Sequence, residues 1–219
     1  MQLVIGNKNY SSWSLRPWLL IDGFGLEFEE IQESLKAEGR KEWFSKYSAT
    51  SKVPVLIDNS IAIWDSLSIC EYVSENYLDG KGWPSDKIKR ALARSITAEM
   101  HSGLSGLRNA LPMNCRATRK VELTNHAKLD IQRVDDIWSE FAAKDKDGEL
   151  RLFGSFSIAD CFFAPVVFRF KTYGIQLSEK ANAYYQSMLK HPSMQNWLTK
   201  ALAETEIIEE DEAGVDVKK

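Results

Sequence analysis

The chain has 219 residues, 28 Lys and Arg against 31 Asp and Glu, a net charge of -3 and a 44% hydrophobic share. It can bury one large core or two small ones, and it offers no basic stripe that would neutralise the phosphates of a nucleic acid. No run reaches the roughly 18 unbroken apolar residues of a membrane span, and the longest candidate, residues 161–170, contains Arg169 and reads as a buried helix.

The first eighty residues alternate in type. QLVIG is a short β-branched run bounded by Gly6 and Asn7, which predicts a buried strand. SLRPWLLIDGFG predicts a helix ended by Gly23 or Gly25. EFEEIQESL alternates like a second strand, and KEWFSKYSA predicts a short helix. VPVLIDNSIAIWD predicts a hairpin turning at Asp58 and Asn59. SLSICEYVSENYL predicts a helix with Leu67, Cys70, Val73 and Tyr77 on one face. The order β-α-β-α-β-β-α over residues 1–80 is an α/β unit with helices packed on a mixed sheet.

DGKGWPSDK has no periodicity, and a linker is expected at residues 81–87. Beyond it the period is helical at about 86–110, 119–144, 157–172, 178–189 and 193–203, which makes residues 88–205 an all-α domain. Residues 206–219 are acidic with little to bury and are expected to be a disordered tail. Cys70, Cys115 and Cys161 are odd in number and widely spaced without C-x-x-C, so three reduced thiols and no metal site are expected. The opening MQLVIGNKNY lacks the features of an export signal, and a cytoplasmic location is expected.

Residues 9–18, NYSSWSLRPW, hold three serines. Pro17 has no N–H and fits best in a first helical turn, which points to an N-cap at Ser14, Leu15 or Arg16. Of these only Ser14 is a good cap, so its hydroxyl is expected to serve the backbone. Ser11 and Ser12 then lie between a strand end and a helix N-terminus, where a hydroxyl can donate to a thiolate or phosphate; they can also simply turn the chain. Pro54 inside a strand pattern implies an edge position or a cis peptide, and the latter would expose the Val53 backbone to a ligand. Asp65 and Ser66 open the next helix, where its amides suit a carboxylate and Asp65 suits an ammonium group, alongside a capping role.

Together these residues resemble the glutathione transferase superfamily over residues 1–205: a serine loop before the first helix, VP opening a hairpin, an acidic residue plus serine starting the third helix, then a helical half. GSFSIAD resembles the family's capping motif, in which Ser157 caps a buried helix and Asp160 reaches back, a structural role. SSWSLR is most similar to serine-type, zeta-like enzymes, whose stretch reads S-S-C-S-W-R. Trp13 stands where that class carries the cysteine linked to maleylacetoacetate isomerisation. The segment AEMHSGLSGLRNALPMN is similar to that of bacterial transferase-like proteins.

The resemblance implies an N-terminal thioredoxin-like domain and a C-terminal helical-bundle domain, a homodimer, glutathione as co-substrate and a small electrophile as second substrate. Ser11 or Ser12 would hold the sulfur as thiolate: alignment from the first serine selects Ser11, and counting back from Arg16 selects Ser12. Val53, before Pro54, would pair with the cysteinyl backbone, and Asp65 with Ser66 would grip the γ-glutamyl end. Lys36, Arg40 and Lys52 are candidates for the glycine carboxylate. Trp13, His101, Leu104 and Arg108 would meet the second substrate, the last three sharing one helix face with Ser105 while Met100 and Leu107 pack inward. Arg108 would favour an anionic or electron-poor substrate and His101 could move a proton; the plainer reading is a satisfied histidine and a salt-bridged arginine. Two other readings stay open, a non-catalytic glutathione-binding scaffold and a zeta-like isomerase. Exchange of the glutaredoxin kind needs a cysteine in the serine loop, and residues 9–16 have none.

Overall fold

The computed structural model describes residues 1–36 and 39–217. The N-terminal half holds β1 (Gln2–Ile5), α1 (Ser12–Gly23), β2 (Glu29–Gln32), α2 (Arg40–Ser45), β3 (Val55–Asp58), β4 (Ile61–Trp64) and α3 (Ser66–Tyr77). Its sheet has the order β2-β1-β3-β4, with β1 parallel to β2 and antiparallel to β3. Leu3, Val4 and Ile5 of β1 are fully buried, as a β-branched strand between two neighbours requires. Asp58 pairs with Ile61, so the hairpin turns at Asn59 and Ser60, one residue beyond the expected Asp58 and Asn59. Asp58 is held in the ladder because its carboxylate accepts hydrogen bonds from the hydroxyls of Tyr72 and Tyr77 on α3. On α3 itself Cys70 and Val73 are buried, whereas Tyr77 is partly exposed.

The C-terminal half holds α4 (Lys87–Ser102), α5 (Ser105–Ala110), β5 (Arg119–Lys120), α6 (Asn125–Phe141), β6 (Ala142–Lys144), β7 (Leu150–Leu152), α7 (Ile158–Tyr173), α8 (Glu179–Leu189), α9 (Pro192–Ala203), a 3-10 turn (Glu209–Asp211) and β8 (Val215–Asp216). Nearly every residue of α7 is buried, Arg169 included. It packs on α1 and α4 and so joins the two halves. The box at its start is present: Asp160 accepts from the Ser157 amide at 3.0 Å and from the Leu152 amide and Tyr184 hydroxyl at 2.9 and 3.1 Å. Cys70, Cys115 and Cys161 are free and buried.

Four further expectations are corrected. The helix expected over 86–110 breaks at Gly103, where any Cβ would lie 2.8 Å from the Glu99 carbonyl oxygen, and Leu104 takes a left-handed conformation at φ 53°. The half is not purely helical, because α6 is flanked by β5, which pairs with β8, and by the β6–β7 hairpin. Residues 206–217 are not a loose tail: the Glu206 carboxylate accepts from the Asn7 side chain and the Ser34 hydroxyl, each at 2.6 Å, and Glu212 pairs with Arg119. The acidic side chains that look surplus in sequence are matched by donors far along the chain.

The fourth concerns α1. Its N-cap is Ser11 and Pro17 is its sixth residue, inside the helix. The Leu15 amide already bonds the Ser11 carbonyl at 3.1 Å. Ser14 does serve the backbone, but of the strand end: its Oγ accepts from the Gly6 amide at 3.2 Å. That bond ties the first turn to the end of β1, and burial of Leu15, Arg16 and Trp18 offsets the missing proline donor.

Candidate functional site

Beyond the end of β1 lies a cleft of about 390 Å³. It is lined by Ser11, Ser12 and Trp13 at the start of α1, by Lys52 and Val53 before β3, and by Arg108 of α5, Arg169 of α7 and Asp211 of the 3-10 turn. The N-terminus of α1, with its orphan amides and partial positive charge, therefore opens at the cleft.

The two candidate serines differ in their hydrogen bonds. Ser11 is buried and its hydroxyl donates to Ser14 Oγ at 2.7 Å, so its proton is engaged. Ser12, half-buried, accepts from Nη2 of Arg169 at 3.3 Å. A hydroxyl that accepts keeps its own proton to donate. Arg169 is fixed by its own donation to the carbonyl oxygens of Arg108, at 3.1 Å, and of Leu111. Burial, with Arg108 nearby, pushes Arg169 down to about 10, which leaves it a cation at neutral pH.

Val53 stands before β3, joined to Pro54 by a cis peptide bond. β3 lies between β1 and β4, so Pro54 is not on an edge strand. Asp65 is the N-cap of α3: its carboxylate accepts from the Leu67 amide at 2.7 Å and faces His101 Nε2 at 3.3 Å. Ser66 is buried, and among the described residues its Oγ has no hydrogen-bond partner. Arg16 is buried, with its guanidinium over the rings of Trp13 and Phe162 at 4.3 and 4.6 Å. Burial and the neighbouring Arg108 and Arg169 push it down to about 9. It donates to His101 Nδ1 at 3.4 Å, which places the His101 proton on Nε2, toward Asp65. Burial lowers the pKa of His101, and Asp65 opposes that shift.

Two guanidiniums thus flank Trp13, that of Arg16 and that of Arg108, the latter 4.9 Å from its ring centroid, while the Arg169 guanidinium stands at Ser12. Such a site suits an anion held beside an apolar ring. Among the described residues no group of His, Cys, Asp and Glu could hold a metal, and no helix is long and apolar enough to cross a membrane.

The family model described as glutathione S-transferase, N-terminal domain, matches residues 10–76. The matched stretch runs from the serine loop through α3, within the α/β half. A probable maleylacetoacetate isomerase of Caenorhabditis elegans is 25% identical over 78% of this chain and 79% of its own. The maleylacetoacetate isomerase of Rattus norvegicus is 31% identical over 47% of this chain and 48% of its own. A glutathione transferase homolog from Burkholderia gl BGR1, solved with bound glutathione, superposes with a TM-score of 0.70 at 24% identity, over 91% of this chain and 97% of that one. The fold is that of the glutathione transferases, a thioredoxin-like domain followed by a helical one.

Within this transferase fold the cleft gathers Ser11, Ser12, Trp13, Lys52, Val53 and Arg108. Among the described residues its wall does not include Pro54, Asp65, Ser66, His101 or Leu104. Leu104 is buried in the core at the break before α5, so His101, Leu104, Ser105 and Arg108 do not share a helix face. The ion pair expected for Arg108 is likewise not seen among the described residues; it donates to the Gly103 carbonyl at 3.3 Å. Lys36 lines an adjoining cleft with Lys41 and Glu42, and the side chain of Arg40 lies outside the described residues. Sequence reasoning misses Tyr10, Arg169 and Asp211. A charge interrupting the apolar run 161–170 is a usable signal for Arg169, whereas nothing local marks Asp211.

Proposed function

We propose that this protein binds glutathione in the cleft and joins its sulfur to a small electrophile, with Ser12 as the hydroxyl that holds the thiolate. The Arg169–Ser12 hydrogen bond carries this reading, because it fixes the Ser12 oxygen and leaves the proton for the sulfur. The amino end of α1 and the guanidiniums add a positive field that favours thiolate over thiol. Val53 pairs with the cysteinyl backbone and Lys52 takes the glycine carboxylate, while the γ-glutamyl end reaches past the cleft lining to Asp65 and Ser66 at the start of α3. In the reaction the thiolate attacks the electrophilic carbon, a C–S bond forms and the leaving group departs with its electron pair. Trp13 and Arg108 face the second substrate. The protein acts as a cytoplasmic homodimer.

The test is turnover of glutathione with aryl halides, epoxides and enones by the purified chain, alongside Ser12→Ala. Thioether product that depends on Ser12 supports the reading. Retention on immobilised glutathione without turnover supports a binding scaffold instead. The worm and rat relatives favour a second reading, glutathione-dependent cis-trans isomerisation. That reaction returns free glutathione, so detection of an isomerised product with no thioether would select it.

A further inference from the structure

The last thirteen or so described residues form a strap whose two ends are tied down. On one side Glu204 accepts from the amides of Lys8 and Asn9, and Glu206 accepts from the Asn7 side chain at 2.6 Å and the Ser34 hydroxyl at 2.6 Å. On the other side Glu212 accepts from the hydroxyl of Tyr10 at 2.5 Å and from Asn114 at 2.9 Å, pairs with Arg119, and leads into β8. The 3-10 turn Glu209–Asp211 hangs between these anchors, with Ile208 buried beneath it. Asp211 is thereby held at the cleft, which Arg108 and Arg169 also line, and its charge interacts with that of Arg169.

Without that carboxylate the cleft would present two guanidiniums and would draw an anion. With it, one of the two positive charges is balanced from within the protein. We infer that Asp211 is a specificity-determining residue that sets the charge of the second substrate, discriminating against electrophiles whose transferred part bears a carboxylate. The inference rests on the proposed glutathione reading and deepens it. Burial raises the pKa of Asp211, with Glu210 and Glu212 adding to the rise, and the Arg169 guanidinium opposes it, as expected of a partly enclosed carboxylate within the field of a cation. A second carboxylate brought to the cleft would meet a like charge that the strap anchors prevent from swinging away.

Calorimetry on the full chain tests this with three ligands: glutathione, S-hexylglutathione and S-(5-carboxypentyl)glutathione. The last two differ by a terminal carboxylate, so the ratio of their dissociation constants cancels any effect on the shared tripeptide. The wild type is expected to favour the neutral ligand, Asp211→Asn to shift the ratio toward the carboxylate by about tenfold, and Asp211→Glu to keep the wild-type preference. The same shift is expected in kcat/KM for 4-chloro-3,5-dinitrobenzoate against its methyl ester, where the sulfur bonds the ring carbon and chloride leaves. A ratio that stays within about twofold in Asp211→Asn while glutathione binds normally overturns the inference alone. Failure of the wild type to bind any of the three removes the glutathione reading and this inference with it.

Discussion

Arg169, deep in α7, donates a hydrogen bond at 3.3 Å to the hydroxyl of Ser12, the first residue of α1. The bond crosses from the helical half to the N-terminal half and couples a buried charge to the group proposed to hold the sulfur. Replacing Arg169 by Met keeps a shorter unbranched apolar stem and removes every side-chain donor. We expect the thiol of bound glutathione to titrate about one unit higher, read from the ultraviolet absorbance of the thiolate. Stability should fall too, by about 1–3 kcal/mol, because the Leu111 and Arg108 carbonyls lose a buried donor. An unchanged thiol titration in a folded variant would dissociate Arg169 from the site.

The two serines should separate in kinetics. Ser12→Ala removes the hydroxyl whose proton is available and is expected to lower kcat/KM by about 10²- to 10³-fold. Ser11→Ala removes a hydroxyl already bonded to Ser14 and is expected to cost about tenfold or less, through looser geometry of the loop. The reverse ranking in steady-state assays would move the thiolate-holding role to Ser11.

Asp160 is a structural test. Its carboxylate accepts from the amides of Leu152 and Ser157 and the hydroxyls of Ser157 and Tyr184 inside the core. Asp160→Ala leaves those donors buried without a partner and is expected to cost about 3–5 kcal/mol in denaturant unfolding. Ser157→Ala should cost only about 1 kcal/mol. Neither should change the thiol titration of the folded fraction.

His191 supplies a pH dependence of stability. It caps α9, with Nδ1 accepting from the Ser193 amide at 3.2 Å, and stacks on Phe156 with ring centroids 4.5 Å apart. Burial, with Arg151 nearby, lowers its pKa from 6.5 to about 4. The folded state therefore binds the proton less readily than the unfolded chain, and stability contributed by neutral His191 is lost as pH falls from 6.5 toward 4. The full loss is on the order of 3 kcal/mol. His191→Asn keeps a capping acceptor and should flatten this part of the unfolding profile measured across that range. A profile as steep as the wild type would exclude His191 as its source.

Much of the fold was legible because its signals are local. The β-branched run at residues 2–5, the start of α3 at Ser66 and the Ser157–Asp160 spacing each depend on neighbours a few residues apart. The break at Gly103 is local as well, yet helical periodicity on both sides hides it, and it is the approach of the Glu99 carbonyl that decides it.

The sequence by itself determined the α/β half, the helical character of most of the rest, the serine loop and the choice of an edge or cis Pro54. Tertiary structure alone decided which serine keeps its proton, since that depends on Arg169, 157 positions away. It also turned the acidic end into a cleft wall, by matching Glu204 and Glu206 with amides and side chains near the start of the chain. The physical reason is that propensity and period act over a turn or two of chain, while a buried charge or hydroxyl takes its role from whichever partner packing brings within hydrogen-bond reach.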